Sequence, residues 1–236
     1  MIIGKIVKSD SHINYVCQIF GPHETYERPR PEDYAFGRFV RVSIRSEQQD
    51  ALFDSRSSAR DEMQEAGTYA VGVIYDTILV NPTYGTLGPR LSNETQVELF
   101  SPDYISEKAT CIYVMILGVI EQGGKTQSTP LTVMQGIPPL SLELDSQVET
   151  MSDEDVAAFH FFPDSAAEVM SADTADRKPY LHIGYLPHVI AQRNSLLPMV
   201  TLRIIDQLER LFPQNLALLS IVKRNFAWRL KVETTG

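Results

Sequence analysis

Cysteines and metal-ligand patterns are scarce in this chain. It has two cysteines in 236 residues, Cys17 and Cys111, and both lie in apolar, strand-like segments. No cysteines or histidines have the short spacing of a structural zinc site, and His160, His182 and His188 have no further ligand at a recognised separation. We therefore predict small buried thiols in a reducing compartment and no bound metal.

The chain also has few basic residues relative to acidic ones, and it has no long hydrophobic run. The chain has 21 Lys and Arg against 30 Asp and Glu, a net charge of -9, which disfavours broad, sequence-independent nucleic-acid binding. The uncharged stretch at 109–120 is shorter than the ~20 residues of a membrane-spanning helix, and the N-terminus lacks the apolar core of a signal peptide. With 43% hydrophobic residues the chain should fold, and we predict a cytoplasmic location.

Catalytic motifs are lacking as well. The segment GVIEQGGKTQ (118–127) resembles a phosphate-binding loop, but its leading glycine comes one position too early. Such a loop follows a buried strand and begins a helix. Here Pro130 and β-branched residues follow, so we interpret the segment as part of a hairpin whose tight turn is Gly123-Gly124. No G-x-S-x-G is present and no general acid or base stands out, so we predict a noncatalytic protein without a cofactor.

Alternating apolar and polar residues dominate the first 150 positions. Val40, Val42 and Ile44, for example, alternate with polar neighbours along a predicted strand. About six strands are predicted, at residues 13–19, 40–45, 68–80, 96–100, 109–121 and 130–134, and the segment at 109–121 is apolar on both faces, as in a strand with little solvent access. Because closure removes exposed sheet edges, we predict a small β-barrel over residues 1–150. Three long connections interrupt the strands, at residues 21–37, 46–67 and 81–94.

Helical signals begin after residue 150. Ser152 and Asp155 have the spacing of a capping box, which predicts a short helix that ends before Pro163. The strongest helix is predicted from Leu197 to Phe212, where apolar residues recur at helical spacing. The tail beyond it fits a helix and then a strand, and the pattern leaves this choice open. The predicted fold class is therefore α+β, with a mainly helical region at 151–236 after the barrel.

A basic and aromatic cluster lies near the C-terminus, in the segment VKRNFAWRLKV. Its candidate nucleic-acid-binding residues are Lys223, Arg224, Trp228, Arg229 and Lys231. Interleaved cations and aromatic rings can bind nucleic acid through phosphate contacts and base stacking. The alternative is an element whose aromatic side chains face the core while its cations face solvent.

Several short segments occur in an order that resembles a known family. They are IGKIV (3–7), the Gly72-Val73 pair within a strand, and Pro138-Pro139 followed by VETMSDEDV (148–156). Over about residues 1–155 this order is similar to the HAS-barrel family, the small N-terminal β-barrel of HerA-type DNA translocases that is shared with ATP synthase subunits. The resemblance implies a role in assembly and partner contact. It stops short of the ATPase domain, because residues 180–200 contain no G-K-[S/T].

Together these patterns predict a noncatalytic barrel scaffold that oligomerises or docks onto a larger, DNA-processing or ATP-driven, assembly. The expected partner is a protein or a second copy, with no membrane contact, and the apolar stripe of the Leu197–Phe212 helix should be buried on the barrel or in a subunit interface. Two alternatives stay open. One is a nucleic-acid-binding module that uses the basic cluster, and the other is a small-molecule enzyme whose pocket is formed by the long connections.

Overall fold

The computed structural model describes residues 1–21, 24–44, 67–80, 109–122, 132–162, 180–192 and 194–235. Within these ranges seven strands form one antiparallel sheet: β1 (Ile2–Ser9), β2 (Asn14–Ile19), β3 (Phe39–Ile44), β4 (Gly67–Val80), β5 (Ala109–Gln122), β6 (Thr132–Gln135) and β7 (Gln147–Thr150). The strand order is β2-β1-β7-β3-β4-β5-β6, and β2 also pairs with β5. Six strands therefore close into a barrel, and β6 is an extra strand beside it.

The long strand β5 decides where the barrel closes and where it ends. One edge of β5 pairs with β4 along its whole length. On the other edge, residues 111–115 pair with β2 and residues 118–121 pair with β6. The part of the sheet formed by β3, β4, β5 and β6 consequently extends past the point of closure.

Five of the predicted strands correspond to β2 through β6, and the predicted strand at 96–100 lies outside the described residues. The alternation pattern does not predict β1 or β7. In β1 a register shift between Ile6 and Lys8 interrupts the alternation, and β7 is four residues long with one buried apolar side chain, Val148. Their partner strands, rather than their own pattern, make these segments β.

Strands β1 and β2 approach each other closely at Gly4. A Cβ atom at this position would overlap the backbone carbonyl oxygen of Gln18 and lie 2.8 Å from the Sγ of Cys17. Because one of the two strands must then shift, we expect Gly4→Ala to lower the free energy of unfolding by about 1–3 kcal/mol in chemical denaturation. Gly21→Ala is the matched control, since its methyl group meets the flexible end of Glu24 at 3.4 Å. Equal stability of the two variants would contradict the close approach.

Helices follow the barrel. They are α1 (Asp153–His160), α2 (Leu186–Ala191), α3 (Leu197–Leu211), a 3-10 turn (Pro213–Asn215) and α4 (Leu216–Thr235), with the paired strands β8 (Phe161–Phe162) and β9 (Tyr180–Leu181) between α1 and α2. The predicted α+β class, a barrel followed by a helical region, is confirmed. The tail that the sequence left open is helical throughout α4. No helix within the described ranges is both long enough and apolar enough to span a bilayer.

Local signals locate α1 and α3 well. The predicted capping box is present at α1, where the N–H of Asp155 donates to Ser152 Oγ and the N–H of Ser152 donates to the Asp155 carboxylate, each at 3.1 Å. These bonds satisfy backbone donors that a helix N-terminus otherwise leaves unpaired. Helix α3 covers the predicted Leu197–Phe212 segment to within one residue.

Two hydrophobic cores share β4 and β5. The inner core fills the barrel and includes Ile74 and Ile116, whereas the outer core lies between the barrel wall and the helices and includes Val73 and Leu117. Successive residues of a strand point to opposite faces, so each of these strands feeds both cores and is apolar on both sides. In the predicted apolar stripe of α3, Val200, Ile204 and Leu208 are fully buried in the outer core, and Leu211 is partly buried against it.

Candidate docking surface

Helix α4 has two apolar sides, and the side toward α3 is packed. Leu219 is fully buried in the outer core, and Val222 packs against it. Phe226 and Leu230, which continue this side at helical spacing, are partly buried. This side accounts for the attachment of α4 to the rest of the protein.

The opposite side of α4 is exposed, although it too is apolar. Leu218, Ile221 and Trp228 are 50%, 59% and 65% exposed, and their separations of three and seven residues place them on one side of the helix. We call these three residues the α4 outer face. Because large apolar side chains grouped on an exposed surface often mark contact sites, the α4 outer face is a candidate docking surface.

The residues of the basic cluster predicted from the sequence lie on different sides of α4. Lys223 faces α3, where its Nζ lies 2.6 Å from Asp206 Oδ1 and 2.7 Å from Glu209 Oε2. The hydrogen bond to Asp206, and to a lesser extent the one to Glu209, raises the pKa of Lys223 above its ordinary value. The positive charge of Lys223 is therefore paired with these two carboxylates. Arg224, one residue on, is exposed on the other side, near Trp228 in the helical repeat. The side chains of Arg229 and Lys231 lie outside the described part of the structure.

A buried aromatic cluster, which was not predicted from the sequence, joins the barrel to the helices. Its centre is the fully buried His160, whose ring packs edge-on against Phe39 at 5.4 Å, Phe159 at 5.1 Å, Tyr185 at 5.5 Å and Phe212 at 6.5 Å between centroids. These residues come from β3, α1, the start of α2 and the end of α3. We call these five residues the aromatic cluster. Their separations in sequence are too large for a local pattern to reveal it.

Both ring nitrogens of His160 have a partner inside the aromatic cluster. Nδ1 lies 2.7 Å from the carbonyl oxygen of Val156, which can only accept, so Nδ1 carries the proton. Nε2 lies 2.7 Å from the hydroxyl of Tyr185 and therefore accepts its hydrogen bond. Burial lowers the pKa of His160 to about 4 and raises the pKa of Tyr185, so the imidazole is neutral and the phenol is protonated. Two hydrogen bonds therefore hold His160 in the cluster as a neutral imidazole.

Gln135, at the end of β6, ties the extra strand to the helical region. Its Nε2 donates to the carbonyl oxygens of Phe159 and His182, both at 2.9 Å, and its Oε1 accepts from the N–H of Gly184 at 2.6 Å. One amide side chain thus satisfies three backbone groups from two segments. The position of β6 is therefore linked to that of α1.

The G-K-T segment, His188 and the two cysteines are the other candidates for chemistry. The strands β5 and β6 pair antiparallel on either side of the G-K-T segment, as in a hairpin, and the predicted turn lies in residues 123–131, outside the described ranges. His188 Nε2 contacts the carbonyl oxygen of Ile116 at 3.2 Å. Burial raises the pKa of both Cys17 and Cys111, which opposes thiolate formation. Among the described residues no three His, Cys, Asp or Glu side chains cluster as metal ligands would.

The structure describes one of the three long connections that could form an enzyme pocket. Residues 46–66 and 81–94 lie outside the described ranges. The connection at 21–37 is described except for residues 22–23, and its last residues are tied to β4, since the N–H of Gly37 donates to the carbonyl oxygen of Ile74 at 2.8 Å. This connection therefore ends against the barrel wall.

The fold and surface define an α+β protein built on a closed barrel, with a helical region in which the α4 outer face is exposed. Over residues 1–235 the chain matches the family model described as Domain of unknown function (DUF8166), and it belongs to that family. A search of curated proteins gives no match to this chain.

Proposed function

We propose that the protein is a noncatalytic barrel scaffold that oligomerises or docks onto a larger assembly, and that the α4 outer face is a contact surface. The observation that carries the proposal is the exposure of Leu218, Ile221 and Trp228 on a helix whose other side is already packed. Large exposed apolar side chains that share one helix face are typical of interaction sites. Trp is also among the residues most enriched in binding hot spots.

The architecture is consistent with such a role. A closed barrel gives a rigid support, because its strands lack the free edges that an open sheet would expose. The resemblance of residues 1–155 to the HAS-barrel family favours assembly and partner contact, and a DNA-processing or ATP-driven machine is the expected partner. The raised pKa values of both cysteines support a noncatalytic role for these thiols. The same role is supported for His160 by its lowered pKa and by the hydrogen bonds at both of its ring nitrogens.

The test is the double variant Leu218→Gln, Ile221→Gln. We expect the wild-type protein to sediment as a dimer or larger species, or to retain a protein partner from its own cell extract after nuclease treatment. The double variant should be monomeric and lose that partner. Its free energy of unfolding should change by no more than about 0.5 kcal/mol per site, because both side chains are exposed.

Leu216→Gln is the matched control. Leu216 is also exposed and also lies in α4, but two residues before Leu218, about 200° around the helix axis. It should behave as the wild-type protein does in sedimentation and in partner retention. If all three proteins have the same mass and the same partners, the α4 outer face is not a contact surface.

The alternative function is nucleic-acid binding through the basic cluster in α4. One observation favours it, since Arg224 and Trp228, four residues apart, are both exposed. The nuclease arm of the retention experiment separates the two cases. A partner that disappears after nuclease treatment would favour nucleic-acid binding over protein docking.

A further inference from the structure

A groove lies at the end of the barrel where β3 to β6 extend past the closure. Its volume is about 220 Å³, and its walls are Ile44, Val119, Met134, Pro139 and Leu140, with Thr68, Glu121 and Thr132 as the polar residues. We call it the mouth groove. Met134 and Leu140 remain 43% and 57% exposed, so its apolar walls are open to solvent.

The volume of the mouth groove indicates what kind of group could enter it. Sites for drug-sized ligands measure about 300–1,000 Å³, so 220 Å³ is small for a whole cofactor or metabolite. It suits one or two side chains delivered by a longer partner. Because the walls are mainly aliphatic, the inserted side chain should be aliphatic as well.

Charge gives the second property of the partner. Glu121 lines the mouth groove, is exposed, and makes no ion pair with another described residue. The first 150 residues carry 12 Lys and Arg against 20 Asp and Glu, so the surrounding field is also negative. A cationic group beside the aliphatic one would therefore be favoured over an acidic one.

The edge of β6 gives the third property, which is backbone conformation. Among the described strands, β6 pairs only with β5. The N–H of Gly136 donates to the carbonyl oxygen of Leu117 at 2.8 Å, and hydrogen-bonded residues alternate in an antiparallel pair. The backbone N–H and C=O groups of Thr132 and Met134 consequently face β5. Those of Val133 and Gln135 face the other edge of β6, which pairs with no described strand. An extended chain could pair there as an added strand.

We propose that the mouth groove and the β6 edge bind an extended peptide segment of a partner protein. The segment would pair with β6, insert a large aliphatic side chain between Met134 and Leu140, and place a Lys or Arg beside Glu121. This inference rests on the proposed docking function, but it names a second surface and a partner chemistry, and none of its residues lies in α4.

The test is selection of binding peptides by the purified full-length chain from a random octapeptide display library. We expect enrichment of peptides that combine Leu, Ile or Val with a neighbouring Lys or Arg. The enriched consensus peptide, made synthetically and labelled, is then titrated by fluorescence anisotropy. Glu121→Lys should weaken its binding about tenfold, because an attractive contact becomes repulsive.

Two controls make the outcome specific. Glu143→Lys is the matched variant, since Glu143 is an exposed carboxylate outside the groove lining, and its affinity should match that of the wild-type protein. The variant Leu218→Gln, Ile221→Gln should bind the peptide normally even if it no longer self-associates, which separates this inference from the α4 proposal. No enrichment, enrichment of acidic peptides, or equal binding to Glu121→Lys would overturn the inference, and so would loss of binding in the α4 variant.

Discussion

Phe159→Ala is expected to lower the free energy of unfolding by roughly 3–5 kcal/mol. The ring of Phe159 is fully buried, stacks on Tyr185 with centroids 6.0 Å apart, and lies edge-on to His160 at 5.1 Å. Removing it leaves a cavity where α1, α2 and the barrel wall meet, and a close-packed interior collapses only partly around such a space. Urea denaturation followed by circular dichroism measures the change.

Phe161→Ala is the control for this substitution. It removes the same side chain two residues further along the chain, from a position that is 41% exposed. We expect a change within about 0.5 kcal/mol. If the two variants lost similar amounts of stability, Phe159 would not be the core residue that the structure describes.

Acidification should destabilise the protein through His160 before most carboxylates are protonated. Burial lowers the pKa of His160 from 6.5 to about 4, with a smaller opposing effect of its hydrogen bond to Val156 and a further lowering by His182. Between these pH values the unfolded chain binds a proton that the folded protein excludes. Stability is therefore full above pH 6.5 and falls as the pH drops toward 4. A difference of about 2.5 pKa units corresponds to roughly 3 kcal/mol.

The measurement is the slope of unfolding free energy against pH from 6.5 to 5. His160→Gln should flatten this slope, whatever its effect on stability at neutral pH. Burial also lowers the pKa of His188, so His188→Gln is the comparison variant. Its unfolding free energy should still depend on pH through His160. An unchanged slope in His160→Gln would show that another group is responsible.

The aromatic cluster also bears on the proposed docking surfaces. Phe39 belongs to the barrel and Phe212 ends α3, and both rings contact His160. Helix α4 follows Phe212 after a single 3-10 turn and packs on α3. The α4 outer face is therefore attached to the barrel through a closely packed core. A partner that binds α4 would be positioned relative to the barrel by this packing.

Much of the fold could be predicted because its signals are local. The capping box at Ser152 needs residues three positions apart, and the α3 stripe needs a helical repeat over 15 residues. The alternation in β2 and β3, the apolar runs of β4 and β5 and the turn residues before β6 act over similar distances. The basic cluster was recognised because its residues are neighbours in sequence. Which of them are exposed together on one surface could not be predicted from that pattern. Only the helix places Lys223 against Asp206 and leaves Arg224 exposed.

The tertiary structure decided everything that depends on residues far apart in sequence. Strands β1 and β7 exist because of their partner strands, and the barrel closes because β2 meets β5 about 100 residues later, as in the pair Cys17 and Ile112. The neutral state of His160 follows from burial among rings from four elements. Local patterns fix backbone conformation and amphipathicity, since these depend on neighbouring residues. Which faces meet, and which apolar face remains exposed on α4, is determined only when distant segments pack together.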